Sequence, residues 1–268
     1  IIYPIQIGWQ WGGGWLAAIG FSDFAGSTLV HSCGGAAALA GVILLGPRLG
    51  RFKNGSVKPM KPFAASSIPL ATLGVFILWM GWFGFNGGSQ LALGTLDDSI
   101  SVSKIFVNTN LAACGGVMAN ALFTRFVYGR TDVIHMLNGA IAGLVAITAE
   151  PLTPSPFVAI LIGGGGGLIA VFGTQLLYKF KIDDVVGAIP AHLFAGIWGT
   201  LAVPITNNAV AFSSQLIGII SINVFVFIVS FIVWYFIKKT IGIRLSAKSE
   251  KQGTDISEVG VVAYAIRD

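Results

Sequence analysis

Charged residues are scarce in this sequence: only 10% of its 268 residues are Asp, Glu, Lys or Arg, against about 25% in an average soluble domain. Hydrophobic residues make up 54% of the chain, which is more apolar surface than a soluble domain of this length could bury. The shortage of charge also excludes a disordered chain and a nucleic-acid-binding protein, since both need abundant charge and little hydrophobicity. The composition therefore predicts a protein that lies in a lipid bilayer.

Cysteine and histidine are also rare, with two Cys and three His in the whole chain. Cys33 and Cys114 both lie in apolar runs, so no disulfide framework is expected. The opening residues Ile1–Pro4 carry no charged side chain, so they are not expected to form a signal peptide. This opening is typical of a chain that begins partway along a helix.

Seven apolar runs have the length and composition of membrane-spanning helices, which need about 20 largely apolar residues each. The runs cover residues 24–46, 63–88, 105–127, 133–149, 156–178, 186–204 and 213–237. The opening segment 1–9 is too short to span and is expected to end an eighth helix. The sequence therefore predicts an all-α, polytopic membrane helix bundle, with a transmembrane domain at 1–237 and a tail at 238–268.

The placement of the basic residues predicts the orientation of the chain. Fifteen of the 16 Lys and Arg residues lie in alternate connections, which the positive-inside rule assigns to the cytoplasm. These residues are Arg48, Arg51, Lys53, Lys58, Lys61, Arg125, Arg130, Lys179, Lys181, Lys238, Lys239, Arg244, Lys248, Lys251 and Arg267. Residues 1–23 are therefore expected outside the cell and the C-terminus in the cytoplasm, in a plasma membrane.

An internal repeat places two of the three histidines in the same sequence frame. Asp23 and Asp184 each begin the pattern D-x2-G-x4-H-x3-G, in which His31 and His192 are the histidines. The two predicted helices cross the membrane in opposite directions, as in an inverted-topology repeat, whose functional site lies near the midplane. Eight residues at 1.5 Å each put each histidine about 12 Å from its aspartate, so the two imidazoles are expected to meet there.

The residue types of the repeat indicate different roles. Ionisable groups inside a membrane are costly and usually functional, and imidazole can both donate and accept a proton, so His31 and His192 are predicted to form a proton relay. Asp23 and Asp184 are expected to accept free backbone N–H groups where their helices begin. Asp23 could also attract cations to the outer mouth. His135 fits no such frame and is expected to lie at the membrane interface without a role.

Two aromatic clusters lie near the outer ends of predicted helices, WQWGGGW at 9–15 and GWFGFNGGS at 81–89. An interfacial aromatic belt is sufficient to explain Trp9 and Trp15. Aromatic faces near an outer mouth can also hold a small cation, with about 0.5–2 kcal/mol from each ring. The hydroxyl of Ser89 could add a hydrogen-bond acceptor.

Together these residues resemble the ammonium transporter family, the Amt/Mep/Rhesus group, over essentially the whole chain. The similar segments are Trp11-Gly-Gly-Gly, Asp23-Phe-Ala-Gly-Ser-Thr-x-x-His31, Gly81-Trp-Phe-Gly-Phe-Asn-x-Gly-Ser89, and Asp183-Asp184 followed by His192. The resemblance implies that His31 and His192 are twin pore histidines.

The same resemblance implies roles for residues at the outer mouth. Trp11, Phe85 and Ser89 are similar to the external ammonium recruitment site, and Phe85 to one of two stacked gate phenylalanines. Thr148 is similar to a polar residue beside that vestibule, and Asp23 to an aspartate near the mouth.

The resemblance further implies an eleven-helix fold, of which this chain would lack about the first four helices, and a homotrimer with one pore in each protomer. It implies neither enzyme activity nor a metal or cofactor. The tail pattern Gly253-x-Asp255-x4-Gly260 is similar to a terminal motif that docks PII-type signalling proteins. Val259 and Val261 depart from that motif, because polar residues are common at their positions.

The function predicted from these observations is ammonium uptake. Ammonium would be held at the outer site and deprotonated, and neutral ammonia would cross an apolar pore, since a bare ion pays heavily to enter one. A second hypothesis is an ammonium sensor coupled to a cytoplasmic domain. A third is an electron-transfer protein with His31 and His192 as axial haem ligands. Ammonium, lipid and a PII-type protein are the expected partners, and nucleic acid is not.

Overall fold

The computed structural model of the protein describes residues 1–52 and 65–263. Within these ranges the ten α-helices are α1 (Ile2–Gly8), α2 (Trp15–Ala18), α3 (Cys33–Leu45), α4 (Ile68–Gly88), α5 (Leu96–Tyr128), α6 (Val133–Ile147), α7 (Pro156–Lys179), α8 (Ala195–Thr206), α9 (Phe212–Thr240) and α10 (Ala247–Gln252). Three π-helical segments complete the described secondary structure: Ser27–Ser32 runs into α3, Pro190–Phe194 runs into α8, and Asp255–Val259 lies in the tail. The predicted all-α fold is confirmed.

Helix lies within each of the seven predicted spans, over the part of each span that the structure describes. In the described parts of the chain, five helical stretches are long and apolar enough to cross a membrane: Ser27–Leu45, Ile68–Gly88, Leu96–Tyr128, Pro156–Lys179 and Phe212–Thr240. The helix Val133–Ile147 is apolar but shorter, with 15 residues. Several sequence predictions fall outside the described residues, namely the positions of Lys53, Lys58, Lys61 and Arg267 and the start of the second span at 63 and 64.

Helix α5 begins nine residues before the predicted start at 105. Thr95 and Asp98 form a capping box, in which the Thr95 hydroxyl accepts from the Asp98 amide and the Asp98 carboxylate accepts from the Thr95 amide. Such a box satisfies free N–H groups without any apolar burial. The helix therefore has 33 residues and a length of about 50 Å, which exceeds the hydrocarbon thickness of about 30 Å.

Glycine lets the central helices α5, α6 and α7 touch backbone to backbone. A Cβ added at Gly116 would collide with the carbonyl oxygen of Gly139, and one added at Gly163 with the carbonyl oxygen of Ala112. Small residues at helix contacts are typical of membrane bundles, because packing there depends on close approach. This core supports one side of the site.

The end of the bundle at which α3 and α9 finish, here called the basic end, is tied together by charged groups. Arg48 donates two hydrogen bonds to the Asp183 carboxylate through Nε (2.7 Å) and Nη2 (2.8 Å). In the tail, Arg244 pairs with Glu250 at 2.9 Å, and Glu250 accepts from the backbone amide of Leu49 at 2.8 Å. The opposite end, which carries Trp11, is called the Trp11 end.

Candidate functional site

The two aspartates of the repeat have the same backbone environment. The Asp23 carboxylate accepts hydrogen bonds from four consecutive amides, those of residues 26–29, at 2.8–3.1 Å. The Asp184 carboxylate accepts from the four amides of residues 186–189, at 2.7–3.3 Å. Each carboxylate therefore satisfies the free donors where a histidine-bearing helix begins.

The glycine of the repeat is required by the turn that follows each aspartate. Gly26 has φ 111° and Gly187 has φ 80°, in the left-handed region where a side chain is strained. The π-helical segments Ser27–Ser32 and Pro190–Phe194 begin one residue after Gly26 and three residues after Gly187, and they contain His31 and His192. Single π-helical turns inside α-helices often occur at functional sites.

The glycines that end the pattern let the two repeats touch beside the histidines. A Cβ at Gly35 would lie 2.6 Å from the backbone nitrogen of Leu193, which follows His192. A Cβ at Gly196 would lie 3.1 Å from the Cβ of Ser32, which follows His31. Each glycine therefore packs against the residue next to the other histidine, so the contact is reciprocal.

The two histidine rings are in direct contact. Their Nδ1 atoms are 3.2 Å apart, and the ring centroids are 5.2 Å apart. The His31 Nε2 atom is buried without a hydrogen-bond partner among residues 1–52 and 65–263. A cavity of about 240 Å³ borders both rings, lined also by Val30, Gly34, Gly35, Ala38 and Ala188.

Aromatic side chains of α4 cover the histidine pair. The Trp82 ring stacks on His31 with centroids 4.8 Å apart and planes 18° apart, and the Phe85 ring lies 5.3 Å from His31. Sequence reasoning gave Trp82 no role of its own. The signal was its spacing, because a residue three before Phe85 lies on the same helix face.

Thr148 lies behind Trp82. The Trp82 indole N–H donates to the Thr148 hydroxyl at 2.9 Å, and that hydroxyl donates to the Leu144 carbonyl at 2.7 Å. Thr148 is fully buried. Its direct contact is therefore with Trp82, which it holds flat against His31.

Trp11 and Ser89 lie nearer the surface. Trp11 is 43% exposed, and its indole N–H donates to the backbone carbonyl of Asp23 at 2.9 Å. The Ser89 hydroxyl donates to the Phe85 carbonyl at 2.8 Å, so its oxygen can accept a hydrogen bond from another donor.

The third histidine lies apart from this pair, at the start of α6. The His135 Nδ1 atom is 3.0 Å from the Asp132 carboxylate, which also accepts from the His135 amide at 3.0 Å. Burial of Asp132 favours a higher pKa, but these hydrogen bonds outweigh it and lower the pKa of the carboxyl. The arrangement is that of a helix N-cap.

The sequence matches the Ammonium Transporter Family over residues 1–264. The ammonium transporter Amt2 of Archaeoglobus fulgidus is 41% identical over 98% of this chain and 62% of its own length. The ammonium transporter of Bacillus subtilis is 33% identical over 98% of this chain and 66% of its own length. This chain therefore spans less than two thirds of the length of these relatives, which are named as transporters and not as enzymes.

Among solved structures, the chain is similar to one described as a sensor Amt protein, with a TM-score of 0.88 and 35% identity over 96% of this chain and 67% of that one. It is also similar to Mep2 of Candida albicans, with a TM-score of 0.80 and 28% identity over 92% of this chain and 58% of that one.

Proposed function

The chain belongs to the ammonium transporter family, and we propose that it moves ammonium across the plasma membrane as part of a pore that carries ammonia past His31 and His192. The observation that carries the proposal is the contact between these two imidazoles inside an apolar bundle, beneath the rings of Trp82 and Phe85. Two ionisable groups are kept at such depth only where they serve a function.

The first step is capture of the cation at the Trp11 end. The exposed face of Trp11 attracts ammonium through its ring quadrupole, with about 0.5–2 kcal/mol. Ser89 supplies an oxygen acceptor, since its own proton is donated to the Phe85 carbonyl. In this proposal Phe85, whose ring lies 5.3 Å from that of His31, separates the wet side from the apolar path.

The second step is loss of a proton before the apolar path. A charged ion is far more costly to move through a dry pore than neutral ammonia. The Nδ1–Nδ1 hydrogen bond forces one ring to donate and the other to accept, so the outer Nε2 atom of one ring accepts and that of the other donates. A proton taken up at one Nε2 can therefore pass through Nδ1 to Nδ1 and leave from the other Nε2.

The test compares ammonium uptake with electrical current in membranes that contain the single variants His31→Leu and His192→Leu, and the double variant. The relay requires the double variant to lose current and wild-type ammonium selectivity. His135→Leu is the matched control, because it removes an imidazole that does not contact the pair. Wild-type current and selectivity in the double variant would refute the relay.

A second candidate function is ammonium sensing, favoured by the similarity to the structure described as a sensor Amt protein. A sensor would bind ammonium at the same mouth without moving it. The uptake assay separates the two functions, since a sensor shows no substantial flux in the unmodified protein.

We further propose a homotrimer. Among the long apolar helices of the described residues, α4 is the least buried, and Phe76 and Met80 on it are 60% and 69% exposed. Such a surface needs lipid or other helices around it. Light scattering of the detergent-purified protein tests the trimer, which a monomeric mass would contradict.

The proposed topology puts residues 1–23 outside and the tail in the cytoplasm, where a PII-type protein could reach it. At the tail motif Val259 and Val261 are 73% and 62% exposed. A cysteine at position 249, in Ser249→Cys, should react with an impermeant maleimide only after the membrane is opened. Labelling from the outside of intact cells would contradict this orientation.

A further inference from the structure

Gln215 of α9 binds backbone groups of two separate chain segments although no sequence motif marks it. Its side chain is fully buried. Its Oε1 accepts from the Ser22 amide at 2.8 Å, and its Nε2 donates to the Ser22 carbonyl at 2.7 Å and to the Thr200 carbonyl at 3.0 Å. The Gln215 side-chain amide therefore pairs with the Ser22 backbone as a neighbouring strand would. It also hydrogen-bonds α8 through the Thr200 carbonyl.

The segment held by Gln215 is the one that forms the Trp11 end of the site. Ser22 directly precedes Asp23, whose carbonyl accepts the Trp11 indole N–H and whose carboxylate caps the π-helical segment of His31. A displacement of Ser22 therefore moves the Trp11 ring and the start of the His31 segment together.

Neighbouring residues of α9 support the same segment. The Ser214 hydroxyl donates to the Ile19 carbonyl at 2.6 Å, and Gly218 leaves room for the Phe21 ring, with which any added Cβ would collide. Residues 19–22 thus pack against Ser214, Gln215 and Gly218 of α9. Of these three, Gln215 hydrogen-bonds both the backbone N–H and the backbone carbonyl of Ser22.

The Gln215 side-chain amide also connects residues 19–22 to the second repeat. Thr200 lies in α8, eight residues after His192, and its hydroxyl shares a 2.7 Å hydrogen bond with the hydroxyl of Thr28. Both threonines are fully buried. The Gln215 side chain therefore sits where the mouth segment and the two histidine-bearing helices meet.

We propose that Gln215 is a positioning residue that fixes the Trp11 ring at the outer cation site through Ser22 and Asp23. The proposal rests on the proposed function, because it assigns a role in the capture step. Only an uncharged side chain that both accepts and donates fits the three partners; a carboxylate accepts from the Ser22 amide but cannot donate to the two carbonyls.

The experiment measures the dissociation constant of methylammonium by titration calorimetry on the purified protein, with uptake measured in parallel. Gln215→Glu keeps the shape but offers at most one donor, since burial favours the protonated carboxyl. At least one of the two backbone carbonyls then loses its partner, and we expect the dissociation constant to rise about tenfold, the effect of roughly one misplaced interaction. Asn120→Ala is the matched control: Asn120 is another fully buried amide, bonded to the His135 carbonyl near the basic end, and its variant should bind normally.

A double-variant cycle separates positioning from a loss of stability. If Gln215 acts through Trp11, Gln215→Glu should change binding little in a chain that already carries Trp11→Leu, so the two effects are not additive. Additive effects, or an unchanged dissociation constant in Gln215→Glu, would overturn the proposal.

The outcomes also separate this proposal from the proposed function. Binding without uptake in the unmodified protein would refute transport and leave Gln215 to be judged on binding alone. An unmodified protein that binds no methylammonium would refute both. If Gln215→Glu fails to fold, Gln215→Met takes its place, because it keeps the side-chain length without charge and should show the same rise.

Discussion

Thr148 and Trp82 form a residue pair in which one hydroxyl fixes one aromatic ring. The Thr148 oxygen is the acceptor for the buried Trp82 indole N–H, and the ring it holds is stacked on His31. A buried donor that loses its acceptor costs about 1–3 kcal/mol. The orientation of the ring therefore depends on a residue that does not itself touch His31.

Thr148→Val is expected to lower stability by about 1–3 kcal/mol and to reduce uptake, because the indole N–H is left without its acceptor. Thermal unfolding in detergent and uptake in membranes measure the two effects. Thr72→Val is the control, since the Thr72 hydroxyl donates to the Ile68 carbonyl of its own helix. A Thr148→Val protein as stable and active as the Thr72→Val protein would show that the hydroxyl does not hold the ring.

Trp11→Leu is expected to weaken methylammonium binding by about 2- to 30-fold, which corresponds to the loss of about 0.5–2 kcal/mol of cation–π attraction. Leucine keeps apolar volume at the position. Trp15→Leu is the comparison, because Trp15 is similarly exposed at 45% and its ring lies against Trp9, with centroids 5.8 Å apart. Equal affinities for the two variants in the calorimeter would argue against a cation site at Trp11.

At this scale the sequence could predict the residues that belong to a repeated pattern but not those defined by contacts between distant segments. His31 and His192 follow from one frame. Trp82 lies 51 positions after His31, and Gln215 lies 193 positions after Ser22. Spacing within one helix shows which residues share a face, as it does for Trp82 and Phe85, but it does not show which distant residue that face contacts.

Two adjacent glycines of α3, Gly34 and Gly35, differ in how closely other parts of the chain approach them. A Cβ on Gly35 would lie 2.6 Å from the Leu193 nitrogen, whereas a Cβ on Gly34 would meet nothing within 4 Å. Gly35→Ala should therefore push α3 away from the His192 segment, cost about 1–3 kcal/mol through overpacking, and separate the histidine rings. Gly34→Ala should preserve or raise stability, because alanine favours a helix over glycine by about 0.5–1 kcal/mol.

Thermal unfolding of the two alanine variants measures this difference, and uptake by the Gly35→Ala protein reports the histidine contact. Similar unfolding temperatures for both variants would mean that α3 can move away from the His192 segment without loss of stability. The same close approach would then not be what fixes the distance between the rings.

The positions of the helices could be predicted from apolar length, but their ends and their π-helical turns could not. The start of α5 depends on the hydrogen bonds between Thr95 and Asp98, which act outside the apolar run. The π-helical segments begin where the Asp23 and Asp184 carboxylates take over several backbone donors. Hydropathy does not detect such changes in backbone pairing.

Considered as a whole, the chain joins its two repeats at the basic end through one acidic residue. Asp183 accepts from the side chain and the amide of Arg48 and pairs with Arg51 at 3.1 Å. Arg48 follows the helix of His31, and Asp183 directly precedes Asp184, which caps the helix of His192. The ion pairs thus connect the ends of both histidine-bearing segments, far from the Trp11 end.

The pH dependence of stability should show this connection. Burial of Asp183 favours a higher pKa, but the hydrogen bonds from Arg48 outweigh it, and the pKa of the carboxyl lies below its ordinary value. A carboxyl whose pKa is lowered by folding stabilises the protein above its unfolded pKa of about 3.9, and this contribution disappears as the pH falls through the lower folded value. Asp183→Asn should therefore be less stable than the unmodified protein by about 1–3 kcal/mol at pH 7.

The difference in stability between the Asp183→Asn and unmodified proteins should stay constant from pH 7 to about pH 5. It should shrink below about pH 4, where the Asp183 carboxyl of the unfolded, unmodified chain takes up a proton. Thermal unfolding of both proteins across this range gives the measurement. Asp97→Asn is the control, because Asp97 lies exposed in the first turn of α5 at the Trp11 end and should change stability little at any pH. A gap between the Asp183→Asn and unmodified proteins that persists unchanged to pH 3 would mean that shape, and not the charge of Asp183, joins the two repeats.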